Sequence, residues 1–202
     1  MKLYRIFRAL FRGYFTVANR YEVIGADHIP AQGSVMLCSN HISNWDPMLI
    51  GSGANRTVHY MAKSELFKIP VFNKLITAWG AFPVNRGAGD RQSLRVALQV
   101  LEDGKCMGLF PEGHRSKTGE LGEGQTGVAF FALRSNCVVI PVAIVGSYRL
   151  FRKVRIAYGK PLDLSRYREG KSSKETLTQV TQEIMSAIGE LQKANRMEVP
   201  KR

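Results

Sequence analysis

Acidic residues are the scarce class in this 202-residue chain: 16 Asp and Glu stand against 29 Lys and Arg, a formal net charge of +13. That imbalance calls for an anionic partner, and nucleic acid, an anionic membrane surface and phosphorylated substrates all qualify. Cysteine is sparse as well. Cys38, Cys106 and Cys137 lie in apolar runs without Cys-x-x-Cys spacing, which argues against a disulfide framework and a structural zinc site and for a reducing compartment. His28 and His59 have no carboxylate or cysteine at ligand spacing, so no metal is expected. No apolar run reaches the roughly 18 residues of a membrane-spanning helix. The N-terminus carries charge throughout rather than a basic tip and an uncharged apolar stretch, so neither a signal peptide nor a transmembrane span is expected.

What is present is an ordinary globular composition, 45% hydrophobic and 22% charged, enough for one domain with a real core. Residues 1–20 read as an amphipathic helix. Leu3, Ile6, Phe7, Leu10, Phe11, Tyr14 and Phe15 recur at helical spacing, and Lys2, Arg5, Arg8 and Arg12 recur on the other side. A helix with one bulky face, one basic face and no acid is expected to lie in a membrane interface, with packing on the protein body as the alternative.

Beyond it, strands are expected at 21–24, 34–39, 58–61, 81–84, 106–110 and 138–145. Helices are expected from Pro47, over 66–78 with an interruption at Pro70, over 90–103, over 127–135 and over about 173–195. Strands alternating with helices imply an α/β fold with flanking helices. The stretch 148–174 is dense in Arg and Lys and carries no strand expectation. Pro141 inside an apolar strand implies an edge, a bulge or a bend.

Four short stretches carry the chemistry. In Asn40-His41-Ile42-Ser43-Asn44-Trp45-Asp46, an imidazole and a carboxylate lie five residues apart with no nucleophile beside them. Asp46 before Pro47 is also a good helix N-cap. In one continuous helix His41 and Asp46 would diverge by about 140°, so a proton relay requires a turn between them, which Ser43 and Asn44 favour. Phe110-Pro111-Glu112-Gly113-His114-Arg115-Ser116 ends a strand, where α/β proteins usually bind ligands, and supplies a carboxylate, a glycine and a guanidinium. Gly80 to Arg86 places an arginine, a two-pronged phosphate binder, after another strand. The fourth stretch is Val138 to Ile144.

These four in order, with Met61 to Phe67 between the first two, resemble the glycerolipid acyltransferase family over somewhat more than half the chain. The resemblance implies a single acyltransferase domain over 21–202, with a mostly parallel or mixed central sheet, a motif-bearing core over 34–146 and a basic C-terminal segment and helix over 148–195. It also implies a bacterial enzyme of phospholipid biosynthesis, with His41 as general base on the acceptor hydroxyl and Asp46 holding the imidazolium, the substrate itself supplying the nucleophile. By the same resemblance Lys63, Arg86 and Arg115 bind the acceptor phosphate, and Glu112 and Gly113 shape its glycerol site. The stretch 66–82 is expected to line the acyl chain, with core packing as the alternative. His114 and Gln125 stand where the family more often has a small polar residue and a lysine.

The implied reaction moves a fatty acyl group from an acyl carrier protein or coenzyme A thioester to 1-acyl-sn-glycerol 3-phosphate (lysophosphatidic acid), giving phosphatidic acid. No cofactor is expected, and the enzyme is expected on the cytoplasmic face of the membrane, peripheral or monotopic. Glycerol 3-phosphate or another lysolipid is the alternative acceptor. A hydrolase using water, or a basic nucleic-acid-binding module, is the alternative function, although no nucleic-acid motif is present and no nucleic acid is expected as a partner. Gly122 to Gly127 fits Gly-x-Gly-x-x-Gly but follows a polar loop rather than a strand, so a dinucleotide site is not expected.

Overall fold

A computed structural model of the chain describes residues 2–84, 91–169 and 173–197. Seven strands form one sheet: β1 (Glu22–Ile24), β2 (Val35–Ser39), β3 (Val58–Lys63), β4 (Ala81–Val84), β5 (Cys106–Leu109), β6 (Val138–Gly146) and β7 (Val154–Tyr158). Their spatial order is β1-β7-β6-β2-β5-β3-β4. Strands β6, β2, β5, β3 and β4 are parallel; β7 is antiparallel to β6 and parallel to β1. The mixed, mostly parallel sheet matches the expectation. Because β2, β5, β3 and β4 are mutually parallel, the chain leaves their C-terminal ends on one edge of the sheet, the edge that carries the site.

Helices cover both faces: α1 (Lys2–Asn19), α2 (Asp46–Gly53), α3 (Pro70–Ala78), α4 (Arg91–Glu102), α5 (Gly127–Arg134) and α6 (Lys174–Ala194). Strand β2 shows why its sequence is apolar without alternation. Val35 and Leu37 enter one core with Leu49, Ile50 and Phe15, while Met36 and Cys38 enter the other with Leu101, Phe131 and Ile184. In α6 the stripe Val180, Ile184 and Ile188 is fully buried, and Ser173 caps the helix by accepting the Thr176 amide.

The structure adds a strand to the basic 148–174 stretch. Val154 and Ile156 are buried in β7, while Arg155 alternates between them and bonds Glu22 of β1 at 2.7 Å. Lys153 pairs with the same carboxylate. The charge density masks a period-two pattern and fastens edge strand β1. Pro141 makes neither an edge strand nor a break. Ladder pairing of β6 with β7 begins only at Val142, and beyond it the Gly159 amide donates to the Pro141 carbonyl, so the N–H that proline lacks faces a side where no ladder partner needs it.

Helix α1 has two apolar faces where the sequence pattern implied one. Tyr4, Phe15 and Ala18 are buried, with Phe7 and Phe11 packed beside them. Tyr4 stacks on Trp79 at 4.7 Å and Phe11 meets the same ring edge-on at 5.0 Å. Tyr4 also donates to the Gly51 carbonyl, and a Cβ at Gly51 would stand 2.6 Å from the Trp79 ring, so α1, α2 and α3 meet only because that residue has no side chain. Roughly 100° around the helix, Leu3, Ile6, Leu10, Tyr14 and Val17 form a second stripe that is left exposed, Leu10 by 61% and Val17 by 78%. Arg5 and Arg12 lie away from this stripe, and Arg8 donates to the Ala54 carbonyl.

Candidate active site

The site begins where β2 leaves the sheet. Asn40 is 1% exposed; its side-chain amide donates to the Ile144 carbonyl and accepts the Ile144 amide, at 3.0 and 2.8 Å. It thereby replaces one rung of the β2–β6 ladder and fixes the point at which His41 projects. The chain then turns. Asp46 is the first residue of α2, with Trp45 as N-cap, one residue earlier than the sequence implied, and its carboxylate does not cap α2. It reaches back: Oδ2 accepts the amides of Ile42 (2.6 Å) and Ser43 (2.8 Å) and contacts His41 Nδ1 at 2.7 Å. The two side chains that a continuous helix would separate are brought together by this turn, with Asp46 as its centre.

Since the Asp46 carboxylate is an acceptor, His41 carries its proton on Nδ1, leaving the Nε2 lone pair available as a base. The ring lies on Phe110, centroids 3.9 Å apart and nearly parallel, and its side chain is 16% exposed against 0% for Asp46. The orienting acid is therefore shielded, while the base is open to a ligand. Asp46 Oδ1 accepts the hydroxyl of Tyr148 at 2.7 Å.

The second loop leaves β5. Gly113 closes a turn by donating to the Phe110 carbonyl with φ of 71°, a left-handed conformation that favours glycine. Glu112 points inward. It is 1% exposed and accepts the His41 amide on Oε1 (2.9 Å) and the Gly122 amide on Oε2 (3.0 Å). The Ser116 amide donates to the His41 carbonyl at 2.7 Å, so both main-chain polar groups of His41 are held by the 110–116 loop. Arg115 and His114 are exposed and, with Ser116, Lys117 and Glu112, line a cleft of about 480 Å³.

Among the expected site residues, His41, Asp46 and Glu112 form one hydrogen-bonded unit, Gly113 turns the loop that carries Glu112, and Arg115 lines the adjoining cleft with Glu112. Lys63 is exposed at the C-terminal end of β3, paired in register with Val84 of β4. Arg86 lies outside the described residues. The 66–82 stretch is divided: α3 buries none of its residues and exposes Val71 and Phe72, whereas Trp79 belongs to one core and Phe82 packs against the other, so core packing accounts for those two aromatics and not for α3. The Gly122–Gly127 run serves Glu112 through Gly122. The cysteines are buried, and burial raises all three thiols, Cys106 to about 12, so none supplies a thiolate nucleophile. Among the described residues no cluster of His, Cys, Asp and Glu could hold a metal. Sequence reasoning missed Tyr148 and the role of Asn40; only the position of Asn40 beside His41 hinted at it.

The sequence model of the Acyltransferase family matches residues 20–145. The chain belongs to the Acyltransferase family. A 1-acyl-sn-glycerol-3-phosphate acyltransferase of Bacillus subtilis is 29% identical over 178 residues, covering 85% of this chain and 87% of that protein. The Borreliella burgdorferi protein of the same name is 28% identical over 138 residues, 65% of this chain; the chain spans about half of that relative, 53%. The crystal structure of the 1-acyl-sn-glycerophosphate (LPA) acyltransferase PlsC from Thermotoga maritima superimposes with a TM-score of 0.74 at 26% identity, over 98% of this chain and 80% of that one. The stretches around His41 and Glu112 both lie within the residues that the family model matches.

Proposed function

We propose that this chain transfers a fatty acyl group from an acyl carrier protein or coenzyme A thioester to the free hydroxyl of 1-acyl-sn-glycerol 3-phosphate, giving phosphatidic acid. The observation that carries this reading is the His41–Asp46 pair, 2.7 Å apart with the base open and the acid buried, in a member of the Acyltransferase family. His41 Nε2 takes the proton of the acceptor hydroxyl as its oxygen attacks the thioester carbonyl. The tetrahedral intermediate collapses by breaking the C–S bond, and the departing sulfur receives the proton from the imidazolium. The products are an ester and a free thiol, and His41 returns to its starting state. Asp46 stabilises the imidazolium between the two steps. Arg115, Lys63 and Arg86 bind the acceptor phosphate, a role suited to fixed guanidinium and ammonium charges.

The reaction takes place at a membrane surface. Among the described residues no helix is long and apolar enough to cross a bilayer, yet exposed apolar side chains concentrate on α1, α3, Trp45 and the Leu150-Phe151 tip, with Phe151 66% exposed. Tyr14 stacks on Trp45 at 5.5 Å, and the Phe151 amide donates to the Ala18 carbonyl, so Trp45 and the Leu150-Phe151 tip adjoin α1. An anionic bilayer fits this surface, with Lys2, Arg5 and Arg20 among the cations flanking it. The exposed side chains of α3 support its use for the acyl chain.

The test is a turnover assay that crosses both thioester donors with lysophosphatidic acid, glycerol 3-phosphate and a phosphate-free lysolipid. Transfer to lysophosphatidic acid that disappears in a folded His41→Ala protein is the expected result. Undiminished turnover in that variant overturns the mechanism, and release of free fatty acid at one rate with or without acceptor makes the protein a hydrolase.

A further inference from the structure

The loop that follows β2 uses only one oxygen of Asp46. Oδ2 receives His41 and two amides of its own loop; Oδ1 receives the hydroxyl of Tyr148, at 2.7 Å and 102 positions away in sequence. Asp46 has no exposed surface, so without that hydroxyl Oδ1 would be a buried acceptor lacking its partner. The loop amides that reach this carboxylate, those of Ile42 and Ser43, both go to Oδ2, so neither serves Oδ1.

Tyr148 is itself held from outside the site. Its ring packs against Phe15 of α1, centroids 6.1 Å apart. The Asn19 side chain at the end of α1 donates to the Arg149 carbonyl at 3.0 Å and reaches the carbonyls of Ser147 and Arg152, while Phe151 in the same loop donates to Ala18. Phe151 adopts a φ of 61°, a left-handed conformation that a bulky residue adopts only when its surroundings enforce it. Burial and the negative charge of Asp46 push the Tyr148 phenol well above its ordinary value of 10.0, so the group remains a proton donor at working pH.

We propose that Tyr148 is a positioning residue for acyl transfer: its hydroxyl holds Asp46 in the rotamer that orients His41, and α1 sets where that hydroxyl sits. Tyr148 acts through Asp46 and needs no contact with substrate. The inference rests on the His41–Asp46 pair being the proton-transfer unit.

Tyr148→Phe removes the hydroxyl and keeps the ring against Phe15. Small displacements of a catalytic group lower turnover steeply, so kcat is expected to fall about tenfold or more, with KM for lysophosphatidic acid within about twofold of the parent. A second readout needs no turnover. The downfield proton resonance of His41 Nδ1–H, assigned by its absence in His41→Ala, is expected to shift or broaden in substrate-free Tyr148→Phe. 3-Fluorotyrosine at position 148 changes the acidity of the O–H with little change in shape, so it provides the same resonance test should Tyr148→Phe fold poorly; a shift is expected there too. An unmoved resonance in both proteins, or a raised KM at unchanged kcat, overturns the proposal. Because the resonance is read without substrate, its outcome is separate from whether His41→Ala abolishes transfer.

Discussion

Glu112 binds the backbone amide of His41, 2.9 Å away, and leaves the imidazole to Asp46. Its other oxygen accepts the Gly122 amide, so a single buried carboxylate joins the loops after β2 and β5 to the segment before α5.

Glutamine at position 112 tests this bracket. Its amide NH₂ would have to face one of two N–H donors, so one hydrogen bond is lost and a like-polarity contact appears. Loss of a buried partner costs about 1–3 kcal/mol. Glu112→Gln is expected to lower both the thermal midpoint and kcat, with a smaller effect on KM for lysophosphatidic acid; calorimetry and steady-state kinetics check it. A change confined to KM would make Glu112 a direct substrate ligand.

Asp46→Asn should behave differently. The carbonyl oxygen of asparagine can still accept from Ile42 and Ser43, and its NH₂ can donate to the Tyr148 oxygen, which accepts as readily as it donates. The turn therefore survives while the charge facing the imidazolium is lost. Turnover is expected to fall by roughly 10³ to 10⁴, with circular dichroism and thermal midpoint close to those of the parent.

The two apolar faces of α1 predict separate effects on stability and on the proposed membrane binding. Phe15 is fully buried, and Phe15→Ala is expected to destabilise the fold by about 3–5 kcal/mol, measured by denaturant unfolding. Leu10→Gln with Val17→Gln removes only exposed surface. That double variant is expected to keep its midpoint and lose pelleting with vesicles containing anionic lipid.

His59 predicts a pH dependence of stability. It is part-buried, with Nδ1 3.2 Å from the Gly80 carbonyl, and burial lowers its pKa below the ordinary 6.5. The unfolded chain thus takes up the proton at a higher pH than the folded one. The contribution of neutral His59 is full above about 6.5 and declines as pH falls towards the lower, folded value. Melting curves between about pH 7.5 and 5.5 should show the midpoint dropping on acidification, with a shallower drop in His59→Gln.

The alternation of strands and helices, the buried runs of β2 and β6 and the stripe of α6 were all legible in the chain, because periodicity within an element needs no knowledge of its neighbours. The spacing of His41 and Asp46 and the loop from Phe110 to Ser116 were legible for the same local reason, and they located the site. Strand β7 was hidden because Arg155, which pairs with Glu22, reads as surface charge until its partner strand is in place. Local pattern likewise could not divide the apolar residues of α1 into a buried and an exposed stripe, since that division depends on where Trp79 and α2 stand. Tertiary structure alone decided that Glu112 lies under His41 from 71 positions away and that Tyr148 completes the carboxylate. Sequence placed the reactive groups near one another along the chain; their orientation comes from atoms far off in sequence, which only the folded sheet brings within hydrogen-bonding distance.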